Sequence, residues 1–261
     1  VKKRLLDVVF ASDKRKNVLL LLQNGPQEMD YLLKSLETTR NAILPQIKIL
    51  EEHCLVFHYN DIYKLTTIGK LIVDEMKPLI DTIEVLDIDI DYWGSRNLDF
   101  IPSYLLERIS ELSHCNIIIP SLENIFEVNH DFLKKSEQST SLFFVFTFIH
   151  PSFPPYISQF CKNDTNASII VSKNLLQKIK EEWRVEANNH ISSGKIKFYL
   201  YQSDLKMASL SVSDSCFVIR LLSKNNEYDH TQVFGCKSQA QQWGKALFDY
   251  CLEDSIPITE I

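Results

Sequence analysis

Residues 28–75 read EMDYLLKSLETTRNAILPQIKILEEHCLVFHYNDIYKLTTIGKLIVDE. Their pattern passes from helix to strand and back to helix. Met29, Leu32, Leu33 and Leu36 recur at helical spacing and predict a helix over about 27–36. Thr38 and Thr39 offer N-caps for a further helix ending near residue 53. Its apolar face is Ile43, Ile47, Leu50 and Cys54, and its other face carries Arg40, Asn41, Gln46 and Lys48. Two short β-rich runs follow, 55–59 and 62–65, with Asn60-Asp61 as a tight turn between them. Thr66 or Thr67 then caps another helix. Upstream, Ser12 caps a helix with Asp13 in its first turn, and Asn24-Gly25-Pro26 stops it.

Helix, short turn, helix, hairpin, helix is the order of a winged helix-turn-helix. A helix that follows a short turn and begins with Arg and Asn suits a major groove, and the hairpin braces the backbone. Arginine suits guanine, asparagine and glutamine suit adenine, and lysine suits phosphate. The expected contacts to double-stranded DNA are therefore Thr38, Thr39, Arg40, Asn41, Gln46 and Lys48, with Tyr59 and Lys64 from the wing. Pro45 stands inside the expected recognition helix. It removes one backbone bond and crowds the carbonyl four residues back, which predicts a kink or an irregular first turn in a helix that survives, because Ile47 to Cys54 still carry the apolar stripe. The competing reading is a small helical domain that packs on a protein partner.

The net charge of −6 argues at first against nucleic acid. Residues 1–75, however, hold nearly equal numbers of basic and acidic side chains, so the acidic excess lies downstream. Affinity then depends on a few placed cations, doubled by dimerisation, rather than on a broad positive field. From Thr66 onward, Ile68, Ile72, Met76, Leu79, Ile83 and Leu86 recur at steps of four and three. That spacing resembles a coiled-coil seam and predicts a homodimer. Pro78 is expected to kink this helix, and Asp87-Ile-Asp-Ile-Asp91 to form a loop or short strand. Tyr92-Trp93-Gly94-Ser95-Arg96 reads as a hinge.

Beyond about residue 113 strands alternate with helices. Runs 116–119, 142–149, 168–171 and 196–201 read as strands with helices between them. Runs 208–212, 216–222 and 232–235 read as a strand series before a last helix. The run 142–149 is continuously apolar, as in a strand covered on both faces. The fold class is thus α/β plus all-α, and three segments are expected: a winged helix over 1–75, a helical linker and dimerisation segment over 76–112, and an α/β sensor domain with a mixed sheet over 113–261. Its βα order is reminiscent of one half of a phospholipase D-like fold in degenerate form. None of the 7 histidines lies in that family's H-x-K pattern.

The search for chemistry is mostly negative. With 6 glycines there is no Walker loop, no G-x-G-x-x-G and no G-x-S-x-G elbow. The 6 cysteines lie singly, with no C-x-x-C and no zinc spacing, and read as reduced, mostly buried thiols of a cytoplasmic protein, with a redox-sensing pair as the alternative reading. No metal or cofactor is expected, no signal peptide is seen, and no apolar run is long enough to span a bilayer. Ligands of open α/β sheets bind beyond the carboxyl ends of strands. Effector candidates are accordingly His150, Tyr156, Tyr201 and Asp204, with Arg220 set in an otherwise apolar strand.

The stretches AILPQIKILEE, YKLTTIGKLIVDEMKPLIDTIEV, DYWGSRNLDFIPSYLLERISEL and the terminal WGKALFDYC resemble a family of methanogen transcription regulators. These join an ArsR-like winged helix to the FilR middle domain, called after the methanogenesis regulatory protein. The resemblance covers nearly the whole chain. It implies an archaeal cytoplasmic regulator of methanogenesis or methyl-group metabolism genes, and it supplies no ligand and no catalytic motif. The expected function is a homodimeric, DNA-binding regulator whose second half senses an effector without turning it over. The rival expectation is a second half that docks a signalling protein and holds no small-molecule pocket.

Overall fold

The computed structural model describes residues 3–121, 129–148 and 165–261. The chain divides into two compact units, Val1–Asp81 and Thr82–Ile261.

In the first unit, α1 (Leu5–Phe10) and α2 (Asp13–Gln23) precede the short strand β1 (Gln27–Glu28). Then come α3 (Met29–Ser35), α4 (Arg40–Glu52), the strands β2 (Val56–Tyr59) and β3 (Ile62–Leu65), and α5 (Thr67–Asp87). The sheet order is β1-β3-β2, both pairings antiparallel. This is the architecture of a winged helix. Ser12 caps α2 by accepting from the Arg15 amide. Thr66 caps α5, its hydroxyl oxygen accepting from the Gly69 amide at 3.0 Å. Asn60 and Asp61 both have positive φ, 49° and 62°, the backbone of a type I′ hairpin turn.

Two features of the unit, the end of α4 and the seat of α5, lie outside what local pattern shows. Helix α4 runs unbroken through Pro45. Its terminus is a Schellman motif: Cys54 sits at φ 59°, its amide reaching Glu51 O and the next amide, from Leu55, reaching Leu50 O. Cys54 is therefore past the helix and exposed, while Ile43, Ile47 and Leu50 fill the core with Val18, Leu19, Met29 and Leu32. Gly69 is required by close approach. An added Cβ would lie 2.0 Å from the Leu55 carbonyl oxygen, so α5 rests directly on the backbone that enters the wing.

The stripe on α5 is not one seam. Val73, Met76 and Ile80 are buried within the first unit, whereas Ile68, Leu71, Leu79 and Ile83 are exposed. One face of the helix therefore serves its own core and another the solvent side.

The second unit opens with α6 (Ile90–Ser95), capped by Asp89, whose carboxylate accepts from the Tyr92 amide at 2.8 Å. The expected hinge is instead core. Tyr92 and Trp93 are buried, and Trp93 Nε1 donates to Val85 O at 3.0 Å. After α7 (Ser103–Leu106) and a 3-10 turn come β4 (Asn116–Ile118), α8 (His130–Ser136), β5 (Ser141–Phe146), β6 (Asn166–Val171), α9 (Lys173–Glu182) and α10 (Arg184–Ser192). They are followed by β7 (Ile196–Tyr201), β8 (Met207–Ser213), β9 (Phe217–Leu221), β10 (Gln232–Gly235), α11 (Ser238–Glu253) and β11 (Ser255–Ile258).

Among the described residues the strands form one mixed sheet of eight, ordered β11-β7-β6-β5-β8-β9-β10-β4. Strands β5, β6 and β7 are parallel, and the other pairings are antiparallel. Alternation along the strands gives each face its own core. One face packs Val145, Leu210, Phe217, Ile219 and Tyr201 with Trp243, Leu247 and Phe248 of α11. The other packs Phe144, Phe146, Ile169, Val171 and Phe198 with Phe132, Leu175 and Ile179 of α8 and α9.

The cysteine expectation needs correction. Cys216 and Cys236 form a disulfide, because the β9–β10 register sets Gly235 against Phe217 and so brings the next residues outward face to face. Cys115 and Cys251 are buried thiols, each pushed up to about 12 by burial.

Candidate nucleic-acid interface

The outward side of α4 carries Arg40, Asn41 and Lys48, all exposed. Thr39 is the helix N-cap by backbone conformation, φ −99° and ψ 154°, but its side chain makes no capping bond, so its hydroxyl is free of that duty. Thr38 is half-buried, its amide tied to Leu33 O at 3.1 Å. Tyr59 and Lys64 stand exposed on the wing, with the Lys64 ammonium 4.7 Å from the centre of the Phe57 ring.

The wing and the start of α4 are tied together. Arg40 Nη2 donates to Asp61 Oδ1 at 2.7 Å, joining the first residue of the helix to the tip of the hairpin. Both side chains are about half exposed, so the pair is weak and exchangeable for a phosphate or a base. Burial, with Asp61 next, raises the Tyr63 phenol above its ordinary range. Glu51 holds His58, whose ring stacks on Tyr63 at 5.1 Å. The cations thus stand among carboxylates, in keeping with the even charge of this part of the sequence.

Gln46 is placed differently from the expectation. Its Oε1 accepts from Arg15 Nη1 at 2.7 Å and from the Ser12 hydroxyl at 3.3 Å. Arg15 is buried and also donates to Val8 O at 2.6 Å and Asp7 O at 3.0 Å, the carbonyls that end α1. The acceptor of Gln46 is spent fastening α2 and α1 to α4, which leaves only its amide for a base. Sequence reading missed Arg15, since nothing local marks a partner thirty residues away.

In the second unit the effector candidates do not converge. His150 and Tyr156 lie outside the described residues. Tyr201 faces the α11 side of the sheet, where burial pushes its phenol up to about 12. Asp204 is exposed in the loop after β7. Arg220 belongs to the other face, four strands from β7 in the sheet order. The strand alternation that makes both faces of this sheet buried also separates residues that the chain order groups together.

A further cluster escaped notice. Arg96, only 6% exposed, bonds the Asp229 carboxylate through Nη2 and lies 4.3 Å from the centre of the Tyr92 ring. Its Nε and Nη1 and the Tyr92 hydroxyl are buried without partners. Burial alone would raise the Asp229 carboxyl, but Arg96 and the Thr231 amide together hold it below the usual range. Among the described residues no group of His, Cys, Asp and Glu is arranged to hold a metal.

A winged helix with a cation-bearing second helix beside its hairpin belongs to the helix-turn-helix class of proteins. The family is narrower. Residues 3–84 match the N-terminal domain, and residues 125–254 the middle domain, of methanogenesis regulatory protein FilR1, and the chain belongs to that family. The FilR1 protein of Methanothrix harundinacea (strain 6Ac) is 22% identical over 260 residues. That match takes in 97% of this chain but 58% of the relative's length. Among solved structures, TrmBL2, described as an archaeal chromatin protein with a novel mode of DNA binding, matches 95% of this chain and 94% of its own at 13% identity and a TM-score of 0.45. Nuc, a phospholipase D family member from Salmonella typhimurium, matches 55% of this chain and 98% of its own at 10% identity and a TM-score of 0.35. Neither likeness is close enough to bear on function.

Proposed function

We propose that this chain is a homodimeric transcriptional regulator that binds double-stranded DNA through α4 and the wing, and that its second unit senses an effector without turning it over. The observation that carries the reading is the outward face of α4. Arg40, Asn41 and Lys48 are presented together beside a hairpin that Asp61 fastens to the same helix. Arg40 and Asn41 read bases, Lys48 and Lys64 hold phosphates, and Thr39 and Tyr59 position the backbone. Membership of a methanogenesis regulatory family supports genes of methanogenesis or methyl-group metabolism as targets, and the cytoplasm as the place of action. Among the described residues no helix is long and apolar enough to cross a membrane.

Dimerisation is assigned to the exposed side of α5. Leu5, Leu6 and Phe10 of α1 and Leu71, Ile72 and Leu79 of α5 line an apolar groove of about 380 Å³ within the first unit. Leu71 is 66% exposed and Leu79 52%. A two-fold pairing here would cover that surface and let two modest DNA contacts add.

The deciding experiment is fluorescence anisotropy with promoter fragments from methanogenesis operons against scrambled DNA of equal length. A promoter preference of at least about tenfold at physiological salt is expected, a lenient threshold beside the roughly thousandfold or more by which specific binding typically exceeds non-specific binding. Equal affinity for both would overturn the base-reading assignment, and no affinity for either would overturn the DNA-binding reading.

A further inference from the structure

Among the described residues, the sheet of the second unit holds a half-buried cation without an anion. Along β9, Phe217, Ile219 and Leu221 belong to the α11 face, so Cys216, Val218 and Arg220 point to the other. On β8 the residue paired with Arg220 is Ser209, and on β10 the register puts Gln232 opposite. Arg220 Nη1 donates to Ser209 Oγ at 3.2 Å, and Nη2 donates to Gln232 Oε1 at 2.8 Å. Both acceptors are neutral. Arg220 forms no ion pair with any described carboxylate: of the two acids of the adjoining turn, Asp229 is taken by Arg96 and Glu227 is exposed. An uncompensated guanidinium is costly to hold away from water. Arginine cannot escape that cost by losing its proton at ordinary pH.

The position of the row is that of a ligand site. Ser209 pairs with Phe146, the last residue of β5, and Phe146 pairs with Val171, the last residue of β6. The three polar residues therefore stand level with the carboxyl ends of two parallel strands, where open α/β sheets bind ligands. Aromatic rings flank the row. Tyr228 lies 5.2 Å from Phe148 and 4.5 Å from His230, centre to centre. The Tyr228 phenol is raised by burial and drawn back down by the charge of Arg220, so ring and cation are near one another.

We propose that Arg220, with Ser209, Gln232 and Tyr228, binds the anionic head of a small molecule, a carboxylate or a phosphate, and that this is the effector site of the second unit. Arginine presents paired N–H donors to either head group, and the rings shelter the body that carries it. The proposal rests on the effector-sensing reading above for its biological role but not for its chemistry.

The test uses the full chain, with inorganic phosphate and propionate as separate probes and chloride as the ionic-strength control. Calorimetry and thermal unfolding are expected to show saturable binding and a rise in Tm with at least one probe, and none with chloride. Phosphate alone acting identifies a phosphorylated ligand, and propionate alone a carboxylic acid. Arg220→Gln is expected to weaken binding by on the order of tenfold to a hundredfold, the range for a bond to a charged group. Gln232→Glu supplies the missing carboxylate from within, so it is expected to raise Tm without probe and to abolish the response. That variant keeps the test decisive if Arg220→Gln folds poorly. No saturable response in the native protein, or an unchanged response in Gln232→Glu, overturns the proposal. Arg220-dependent binding that leaves DNA affinity unchanged would keep the anion site and overturn the sensing role instead. A changed DNA affinity supports both.

Discussion

The α4 face of the first unit and the sheet side of the second use their cations in opposite ways, although the first unit also buries Arg15 where α1, α2 and α4 meet. In the first, Arg40 and Lys48 stand in water, and the one ion pair among them, Arg40 with Asp61, is half exposed. In the second, Arg96 is buried and Arg220 half-buried among strands, helices and rings. A solvated cation costs nothing to keep and gives little until a polyanion arrives, when released counterions supply the driving force. A withdrawn cation costs free energy at all times, and a specific partner returns it. The first arrangement suits a long, repetitive ligand such as a duplex. The second suits one small ligand, and it gives that ligand leverage over the fold around it.

The sharpest way to break the first half of this contrast is to separate the chains. Leu71→Glu with Leu79→Glu places two charges on exposed apolar positions that cost the monomer little. Sedimentation should show a monomer, and promoter affinity should fall by more than either single DNA contact would explain. An unchanged dimer would move the interface away from α5.

Next in size is Gly69→Ala. The new methyl carbon would meet the Leu55 carbonyl oxygen, a backbone atom that cannot swing aside. Such overpacking costs about 1–3 kcal/mol, and this contact belongs at the upper end. Denaturant unfolding should show the loss. DNA affinity should fall with it, because α5 and the entry to the wing would move apart. If stability falls and DNA affinity stays, the wing is not needed for binding.

Arg40→Ala separates positioning from recognition. It should leave unfolding nearly unchanged, since its pair with Asp61 is half exposed. On a cognate site it should cost about 1–3 kcal/mol if the contact to guanine is bidentate. Loss of equal size on scrambled DNA would make Arg40 a phosphate contact. Lys48→Ala should act in that second way, weakening all sequences alike and reducing the salt slope by about one unit.

How far these features can be read from sequence follows from the range of the interactions that make them. The hairpin was legible because Asn60 and Asp61, adjacent residues that tolerate positive φ, carry the turn within themselves. The core face of α4 was legible as far as Leu50 and failed at Cys54, where the Schellman turn releases the chain. The helix survives Pro45, as the apolar stripe beyond it implies, since tertiary packing of Ile43, Ile47 and Leu50 outweighs one missing bond. The segment from Tyr92 to Arg96 looked like a hinge because glycine and serine sit beside aromatics. Its burial depends on Val85, Asp229 and the strands, none of which local composition displays. The disulfide and the Ser209–Arg220–Gln232 row are both products of strand register, and register is invisible until the pairing is known.

The smallest expected effect comes from a cation that can do what Arg220 cannot. His190 on α10 is half-buried, and burial lowers its pKa below the ordinary 6.5, against a smaller opposing pull from Glu186. Imidazole withdrawn from water sheds its proton, so at neutral pH it demands no counterion. The cost then appears as a pH dependence. Between the folded and unfolded pKa values the unfolded chain binds more protons, so stability rises with pH across that interval. Stability should therefore fall as the pH drops through about 6.5 and level off once the folded pKa is passed. His190→Gln should flatten this part of the profile and leave the region above it unchanged, as read from denaturant midpoints at successive pH values. Arg220→Gln should leave the same interval as it is, because an arginine stays charged on both sides of it. A slope that survived His190→Gln would mean that some other group carries the titration, and that burial at this position does not cost the charged imidazole what the comparison requires.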